Sequence, residues 1–376
     1  MDRIALTSEL RLEVPHYYPC KYPLVDLHLH HNTGKSMLSI VANSEFWSVP
    51  VFSVQTADVM PNPIITRTEK LFKEEIDLFE LTITSVSSFA EGLAQIRTRI
   101  QRNQPVIISG TTYELPYSPD FHNPNYLQPR TTSALGGDFQ IADHYVCVIG
   151  LGSDEVLLYD PIPNKFFGNI PLESLEKFWR GNIQFDVFTK ARGLSLLVSY
   201  GIVNVTIDPD YQNESLENIA IKILNRVNTA FLEGRTRTRP GRIYLSSIAL
   251  SNYIYEAFNS YYSTTGEILQ SLGKCLFDMR WSRYYLRDLL QDMNQHLNFS
   301  LSEIADEMLV VIDLWEEVYR IFLTLVRKKS AIKDEQIHKF INFLAGTIKR
   351  ENEFHLQIQD WLNNSNVGEI LNARTS

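Results

Sequence analysis

The sequence predicts an α+β protein whose N-terminal half contains strands and whose C-terminal half is all helical. Short β-rich runs bounded by turn residues occur up to about residue 208, whereas helical periodicity continues from about Pro209. The chain has 376 residues, a length that suggests two domains. Because strands and helices are segregated along the chain, we predict one domain over residues 1–208 and a helical domain over residues 209–376.

The N-terminal half begins with residues 1–25, where several prolines predict short strands and loops. Apolar residues then recur at helical spacing, so we predict a helix that has Asp26 as its N-cap. A second, amphipathic helix is predicted over residues 85–103, and a polar loop over residues 114–139. The strands predicted in this half are residues 105–109, 144–151, 155–160 and 194–206.

The C-terminal half shows apolar residues at helical spacing throughout. The helices predicted there are residues 213–233, 242–262, 264–277, 281–297, 300–327 and 333–363. Between the first two, residues 234–241 (GRTRTRPG) are predicted to form a basic loop. The arginines of this loop either lie in solvent or bind phosphate or an acidic surface, such as a phosphopantetheine arm or an acidic carrier-protein helix.

Composition and charge exclude several classes of protein. The net charge of −9 argues against nonspecific nucleic-acid binding. Three cysteines, Cys20, Cys147 and Cys275, fit a reducing compartment, and the last two are predicted to be core residues. Neither a signal peptide nor an apolar membrane span is evident, so we predict a cytoplasmic protein with no membrane partner. No cofactor or bound metal is predicted as the first choice.

The clearest chemical signal is the pair His144 and Asp160. A short Gly/Ser/Asp turn separates the two predicted strands at whose outer ends these residues lie. An antiparallel hairpin brings the start of its first strand beside the end of its second. An imidazole next to a carboxylate is the oriented base of a nucleophilic hydrolase or transferase, although a surface histidine beside a turn aspartate gives the same pattern.

Four segments occur in an order that carries a family resemblance. They are PVIIS (105–109), TTYELPY (111–117), DHYVCVIGLGSDE (143–155) and VLLYDP (156–161). This order resembles the second half of the papain-like, C39-like fold, and the whole layout resembles the butirosin-biosynthesis protein H family. The resemblance implies an acyltransferase of specialised metabolism that moves an acyl or aminoacyl group from a carrier-protein thioester to an amine. It also implies that His144 is the general base and Asp160 its orienting partner.

The resemblance further implies a nucleophilic cysteine near the start of the first long helix. The matching residues are Asp26 and Leu27, and a leucine cannot attack a thioester. Cys20, seven positions upstream, is then either the nucleophile or a buried loop thiol, with Thr33 and Ser36 as weaker candidates. Alternatively, His144 deprotonates the amine directly and no acyl-enzyme forms. The side chains predicted to bind substrate are His28, His30, Tyr113 and Tyr145.

Two other functions stay open. Residues 25–31 (VDLHLHH) resemble the D-x-H-x-H strand end of amidohydrolase and PHP-type metal hydrolases, in which alternating histidines on one strand face hold Zn²⁺ or Mn²⁺. Those enzymes are barrels of alternating strands and helices, a pattern that the helical half does not supply. The third possibility is a degenerate papain-like module that binds a carrier protein or peptide, which Leu27 at the expected nucleophile position favours.

Overall fold

A computed structural model describes most of the chain. The described residues are 2–6, 10–46, 52–55, 61–62, 78–123, 144–181, 199–234, 236–239, 242–245, 247–261, 266–328 and 334–364. Contacts divide the chain into two compact units: Met1–Leu38 with Asp77–Asn213, and Ser39–Ile76 with Glu214–Ser376. The range Ser39–Ile76, which lies within the predicted N-terminal domain, groups with the second unit. Within the described ranges, no helix has the length and apolar character that crossing a bilayer requires.

Strands and helices occur in both units, as expected for an α+β protein. The described strands are β1 (Asp2–Arg3), β2 (Phe52–Gln55), β3 (Pro61–Asn62), β4 (Phe79–Ser85), β5 (Val106–Gly110), β6 (His144–Leu151), β7 (Glu155–Asp160), β8 (Phe166–Pro171), β9 (Gly201–Ile207), β10 (Thr236–Arg239) and β11 (Arg242–Leu245). The described helices are α1 (Lys21–Thr33), α2 (Leu38–Phe46), α3 (Phe89–Gln101), α4 (Leu172–Arg180), α5 (Pro209–Asn213), α6 (Leu216–Glu233), α7 (Ser247–Tyr261), α8 (Gly266–His296), α9 (Ser302–Lys328) and α10 (Asp334–Asn364).

The first unit is built on an antiparallel sheet of seven strands. Six of them follow the order β4-β9-β5-β6-β7-β8, and β1 pairs with β6. The predicted hairpin is confirmed, since β6 and β7 pair antiparallel with Cys147 opposite Tyr159. The predicted amphipathic helix is confirmed as α3, and the predicted strand at 105–109 as β5. Of the predicted strand at 194–206, residues 201–206 belong to β9, and residues 194–198 lie outside the described residues.

Helix α1 begins six residues earlier than the sequence predicted. It spans Lys21–Thr33 with Cys20 at its N-cap position, so the prediction of Asp26 as the N-cap is wrong. Pro23 suggested an irregular segment, but it is the third helical residue. A proline in the first turn removes only an N–H group that has no partner within the helix. Gly34 ends the helix in the left-handed conformation, with φ of 73°.

The second unit contains a four-stranded sheet and helices α6 to α10. Its strand order is β10-β11-β2-β3. Strand β10 lies within the segment 234–241 predicted as a basic loop, and β11 occupies the start of the helix predicted over 242–262, which begins at Ser247 instead. The prediction of a loop is therefore wrong for β10. Alternating threonines and arginines suit a strand, and the Pro240-Gly241 pair that follows them suits the turn of a hairpin. The two helices predicted over 264–277 and 281–297 are one helix, α8, since residues 278–280 include no helix-breaking proline or glycine.

Candidate active site

The predicted pair of His144 and Asp160 forms a direct contact in the first unit. His144 is the first residue of β6 and Asp160 the last of β7, so the hairpin sets both at one end of the sheet. The distance from Nε2 of His144 to Oδ2 of Asp160 is 2.9 Å. Both residues are buried, with 4% and 0% of their surface exposed. This geometry holds the imidazole in one orientation, with its Nδ1 atom directed away from the carboxylate.

Two further side chains donate to the same carboxylate oxygen. The hydroxyl of Tyr117 lies 3.0 Å from Oδ2 of Asp160, and the amide nitrogen Nδ2 of Asn164 lies 2.7 Å from it. The ring of Tyr117 stacks on Phe166, with ring centroids 3.6 Å apart and planes 6° apart. Oδ1 of Asp160 is buried and has no hydrogen-bond donor among the described residues. The described hydrogen bonds that stabilise this buried charge therefore all end on Oδ2.

Close packing by helix α4 supports the imidazole from one side. The ring of Phe178 meets that of His144 edge to face, with centroids 6.4 Å apart. Gly110, which pairs with His144 across the sheet, makes this approach possible. A Cβ atom at Gly110 would lie 2.3 Å from the carbonyl oxygen of Phe178. The backbone N–H of Thr111 donates to that same oxygen at 3.3 Å, so the end of β5 and the end of α4 are joined.

Cys20 lies within hydrogen-bonding reach of His144. Because Nε2 of the imidazole binds Asp160, Nδ1 is the nitrogen that remains for the thiol. The thiol is partly exposed and makes no disulfide. It stands at the N-terminus of α1, where the helix dipole favours a negative charge. A thiol, an imidazole and a carboxylate are thus arranged in sequence, which is the arrangement of an activated nucleophile with its oriented base.

The charges around His144 favour its protonated form. Burial alone would lower the pKa of His144. The charge of Asp160 and its hydrogen bond outweigh this effect, Cys20 contributes in the same direction, and the pKa rises to about 10. Burial and the nearby Asp160 charge also raise the pKa of Tyr117, so its hydroxyl stays protonated and remains a donor.

The residue expected at the nucleophile position is a core residue instead. Leu27 is buried, and it lies two turns into α1 rather than at its start. Thr33 lies at the far end of α1 from Cys20, roughly 20 Å along the helix axis. Ser36 follows that end and donates to Asp26 at 2.6 Å. The structure thus brings Cys20, and neither Thr33 nor Ser36, beside His144.

The structure does not bring His28 to the pair. Its imidazole donates to the backbone carbonyl of Pro105, at the opposite end of β5 from Gly110 and roughly 15 Å away along the strand. Burial, with smaller contributions from the charges of His31 and Arg99, lowers the pKa of His28 to about 4. The imidazole of His28 is therefore neutral. It packs against the beginning of β5, far from Cys20 and His144.

Tyr113 and Tyr145 occupy two different environments. Tyr113 belongs to a single helical turn, Thr112–Glu114, that follows β5 on the same side of the sheet end as Gly110. Its ring lies 5.3 Å from that of His122. Tyr145 is adjacent to His144 along β6, so its side chain leaves the opposite face of the sheet. Of the two, Tyr113 lies on the segment that also carries Tyr117.

The segment with alternating histidines is helical, so the strand geometry on which the metal-site interpretation depended is wrong. Residues 25–31 lie inside α1, where His28 and His30 are two positions apart and occupy different faces. His31 shares the face of His28, and its Nε2 lies 2.5 Å from the carbonyl oxygen of Asn103. Across the described part of the chain, no three His, Cys, Asp or Glu side chains are grouped as metal ligands would be. Cys147 is buried in β6 as predicted, and the side chain of Cys275 lies outside the described residues.

Sequence reasoning missed the residues that surround the carboxylate. Tyr117 lies in a segment predicted as a loop, and 43 positions separate it from Asp160. No periodic pattern relates the two. Asn164 follows Asp160 by four positions in a proline-rich turn, where an amide that reaches back to an aspartate could have been recognised from the sequence.

No protein-family model and no curated protein matches the chain, so the functional inference depends on the geometry of the site.

Proposed function

We propose that this chain is a papain-like acyltransferase whose nucleophile is Cys20, with His144 as its base and Asp160 as the orienting carboxylate. One observation carries the proposal: the thiol at the start of α1 lies within hydrogen-bonding reach of an imidazole whose other nitrogen binds a buried carboxylate. The order of strand segments described above supports the acyl donor and acceptor, a carrier-protein thioester and an amine. The supporting evidence for a cytoplasmic location is the pair of free cysteines, Cys20 and Cys147.

The reaction has two steps on the same thiol. In the first, His144 accepts the proton of Cys20, and the thiolate attacks the carbonyl carbon of the donor thioester. The bond from that carbon to the phosphopantetheine sulfur breaks, and the departing sulfur takes the proton from the imidazolium. In the second, the amine attacks the acyl group on Cys20 while His144 accepts a proton from the amine nitrogen. The Cys20 sulfur leaves, and the proton returns to it.

The position of Cys20 favours this route over the two alternatives. A degenerate binding module was favoured by Leu27 in the nucleophile position, and that position belongs to Cys20 in the helix as it forms. The direct route, in which His144 deprotonates the amine without an acyl-enzyme, was favoured by the apparent lack of a nucleophile. With a thiol beside the imidazole, covalent catalysis requires no rearrangement of the chain. The positive, N-terminal end of the α1 dipole also lies beside Cys20, where it can stabilise the negative charge that develops on the thioester oxygen during the attack.

The proposal is tested by trapping the acyl-enzyme. Purified protein is incubated with acyl thioesters of N-acetylcysteamine, and the intact mass and the modified peptide are determined by mass spectrometry. We expect one acyl adduct on Cys20, none in Cys20→Ala, and an unchanged adduct in Cys147→Ala, which removes a buried thiol from the same unit. Addition of an amine should discharge the adduct as an amide, whereas discharge only by water would define a thioesterase.

Three results would contradict covalent catalysis by Cys20. Turnover that survives in Cys20→Ala would assign the reaction to direct base catalysis. An adduct on Cys147 or Cys275 that persists in Cys20→Ala would show nonspecific acylation. If neither adduct nor turnover occurs with any thioester, while binding to a carrier protein is retained, the degenerate module is the correct interpretation.

A further inference from the structure

Asp160 shares one of its oxygens among three donors. Oδ2 accepts from Nε2 of His144 at 2.9 Å, from the Tyr117 hydroxyl at 3.0 Å and from Nδ2 of Asn164 at 2.7 Å. Oδ1 is buried and accepts from no described residue. The imidazole therefore competes with two neutral donors for one oxygen of a carboxylate that is fully buried.

Packing fixes both neutral donors in place. Phe166 pairs with Asp160 across β7 and β8, and the ring of Tyr117 stacks on it. The hydroxyl is thereby held over the carboxylate. Asn164 lies in the short connection between the same two strands, only four residues from Asp160. Neither donor needs to reorganise to stabilise the charge, which is the condition for an effective preorganised site.

The two donors matter most when His144 is neutral. While His144 is an imidazolium, its positive charge compensates Asp160 at 2.9 Å. When the imidazole loses its proton, the carboxylate is left as a buried charge without a counterion, and only hydrogen bonds stabilise it. The titratable groups that face this carboxylate are His144 from β6 and Tyr117 from the segment after β5, with Cys20 beyond the imidazole at the start of α1. Tyr117 keeps its proton, as its raised pKa indicates.

We propose that Tyr117 and Asn164 are positioning residues that keep Asp160 ionised while His144 gives up its proton. This inference rests on the proposed function, in which His144 passes through its neutral form in each catalytic cycle. Without the two donors, the deprotonated state of the pair is destabilised more than the protonated state. The imidazolium then retains its proton more strongly and becomes a poorer donor of that proton to the departing sulfur.

The test follows the titration of the His144 imidazole by nuclear magnetic resonance. Cys20→Ala serves as the background, so that the thiol does not contribute. Tyr117→Phe removes the hydroxyl and keeps the ring that stacks on Phe166, and Asn164→Ala removes the amide. The matched control is Tyr159→Phe, which removes a hydroxyl one residue from Asp160 that donates instead to the carbonyl of Arg11 at 2.7 Å.

We expect the midpoint of the His144 titration to rise by about one pH unit in Tyr117→Phe and in Asn164→Ala, a tenfold change in proton affinity. If the His144 imidazole stays protonated up to the highest pH at which the protein remains folded, its midpoint is counted as having risen. The midpoint in Tyr159→Phe should match the background. Midpoints that stay unchanged or fall in both Tyr117→Phe and Asn164→Ala would overturn the inference. Because no acyl donor is present, this result is separate from the acylation test: a rise without any acyl adduct on Cys20 would refute only the proposed function.

Discussion

Replacement of Asp160 by asparagine isolates the contribution of the buried charge to folding. The change keeps the size of the side chain and its capacity to accept hydrogen bonds, and it removes the negative charge that faces His144 at 2.9 Å. Burial, then opposed only by the smaller effect of Cys20, should lower the pKa of His144 below its ordinary value. The site should lose both its charge pairing and its orientation.

The size of the effect follows from the pKa of His144. Asp160, with Cys20, raises that pKa from 6.5 to about 10. At about 1.4 kcal/mol for each unit, the imidazolium is stabilised by at most about 5 kcal/mol. Loss of one partner from a buried ion pair costs about 3–5 kcal/mol, which agrees. Since the folded-state pKa lies above the unfolded one, this contribution is complete below pH 6.5 and disappears as the pH rises through about 10.

The assay uses Cys147 as a probe of the first unit. This thiol is fully buried in β6, so its labelling in increasing urea reports the opening of the sheet. Pulse labelling followed by peptide mass spectrometry gives the free energy of unfolding of the first unit, and the unfolded protein at each pH serves as the reference. Asp154→Asn, an exposed aspartate in the turn of the same hairpin, is the control and should change stability by less than about 0.5 kcal/mol.

We expect Asp160→Asn to lower the free energy of unfolding at pH 6 by about 3–5 kcal/mol, and by clearly less at pH 10. An equal loss at the two pH values would refute the assignment of the stabilisation to the imidazolium–carboxylate pair. So would a loss at pH 6 no larger than that of Asp154→Asn.

Two further predictions concern packing and the second unit. Gly110→Ala should lower the stability of the first unit by about 1–3 kcal/mol, because its Cβ would lie 2.3 Å from the Phe178 carbonyl oxygen. Gly346→Ala, where the described part of the chain places no atom from outside the local helix backbone within 4 Å of the added Cβ, should stabilise α10 by up to about 1 kcal/mol in urea denaturation. The opposite signs for the two glycine variants would contradict this account. In the second unit, burial and then the charge of Arg283 lower the pKa of His355, which donates to Asn228 at 2.9 Å. Because the unfolded state then binds more protons than the folded state, the second unit should lose stability as the pH falls below about 6.5. Unfolding followed by circular dichroism should show a weaker loss in His355→Gln. Identical pH dependence of stability in the two proteins would exclude this role for His355.

The hairpin was predictable because its information is local. Two apolar runs rich in β-forming residues, on either side of a Gly/Ser/Asp turn, define two strands, and antiparallel pairing then sets His144 and Asp160 at adjacent ends. The prediction of Cys147 as a core residue follows from its place in the middle of an apolar run, and β6 is buried on both faces at this point.

The nucleophile was harder to predict because a helix start depends on competing signals. Asp26 is a good capping residue, and the prolines before it suggested an irregular segment. The helix that forms instead begins at Lys21 and tolerates Pro23 in its first turn. That shift of six residues moves the N-cap of the helix from Asp26, beside Leu27, to Cys20, and so places a thiol where a leucine was expected.

The neighbours of the carboxylate depend on tertiary structure. Tyr117 reaches Asp160 because its ring stacks on Phe166 of a strand far along the chain. Phe178 approaches His144 because Gly110, on the neighbouring strand, has no side chain. Such contacts leave no periodic signal in a single sequence, whereas each is evident once the strand order is known.

The contact between Cys20 and His144 is tested most directly by the reactivity of the thiol. The rate at which iodoacetamide modifies Cys20 at pH 6 is measured by quantitative peptide mass spectrometry in the unmodified sequence and in His144→Gln. If the imidazolium stabilises a thiolate at Cys20, the rate should be at least about tenfold lower in His144→Gln, while Cys147 stays unlabelled in both proteins. Equal rates at Cys20 in the two folded proteins would contradict the central claim.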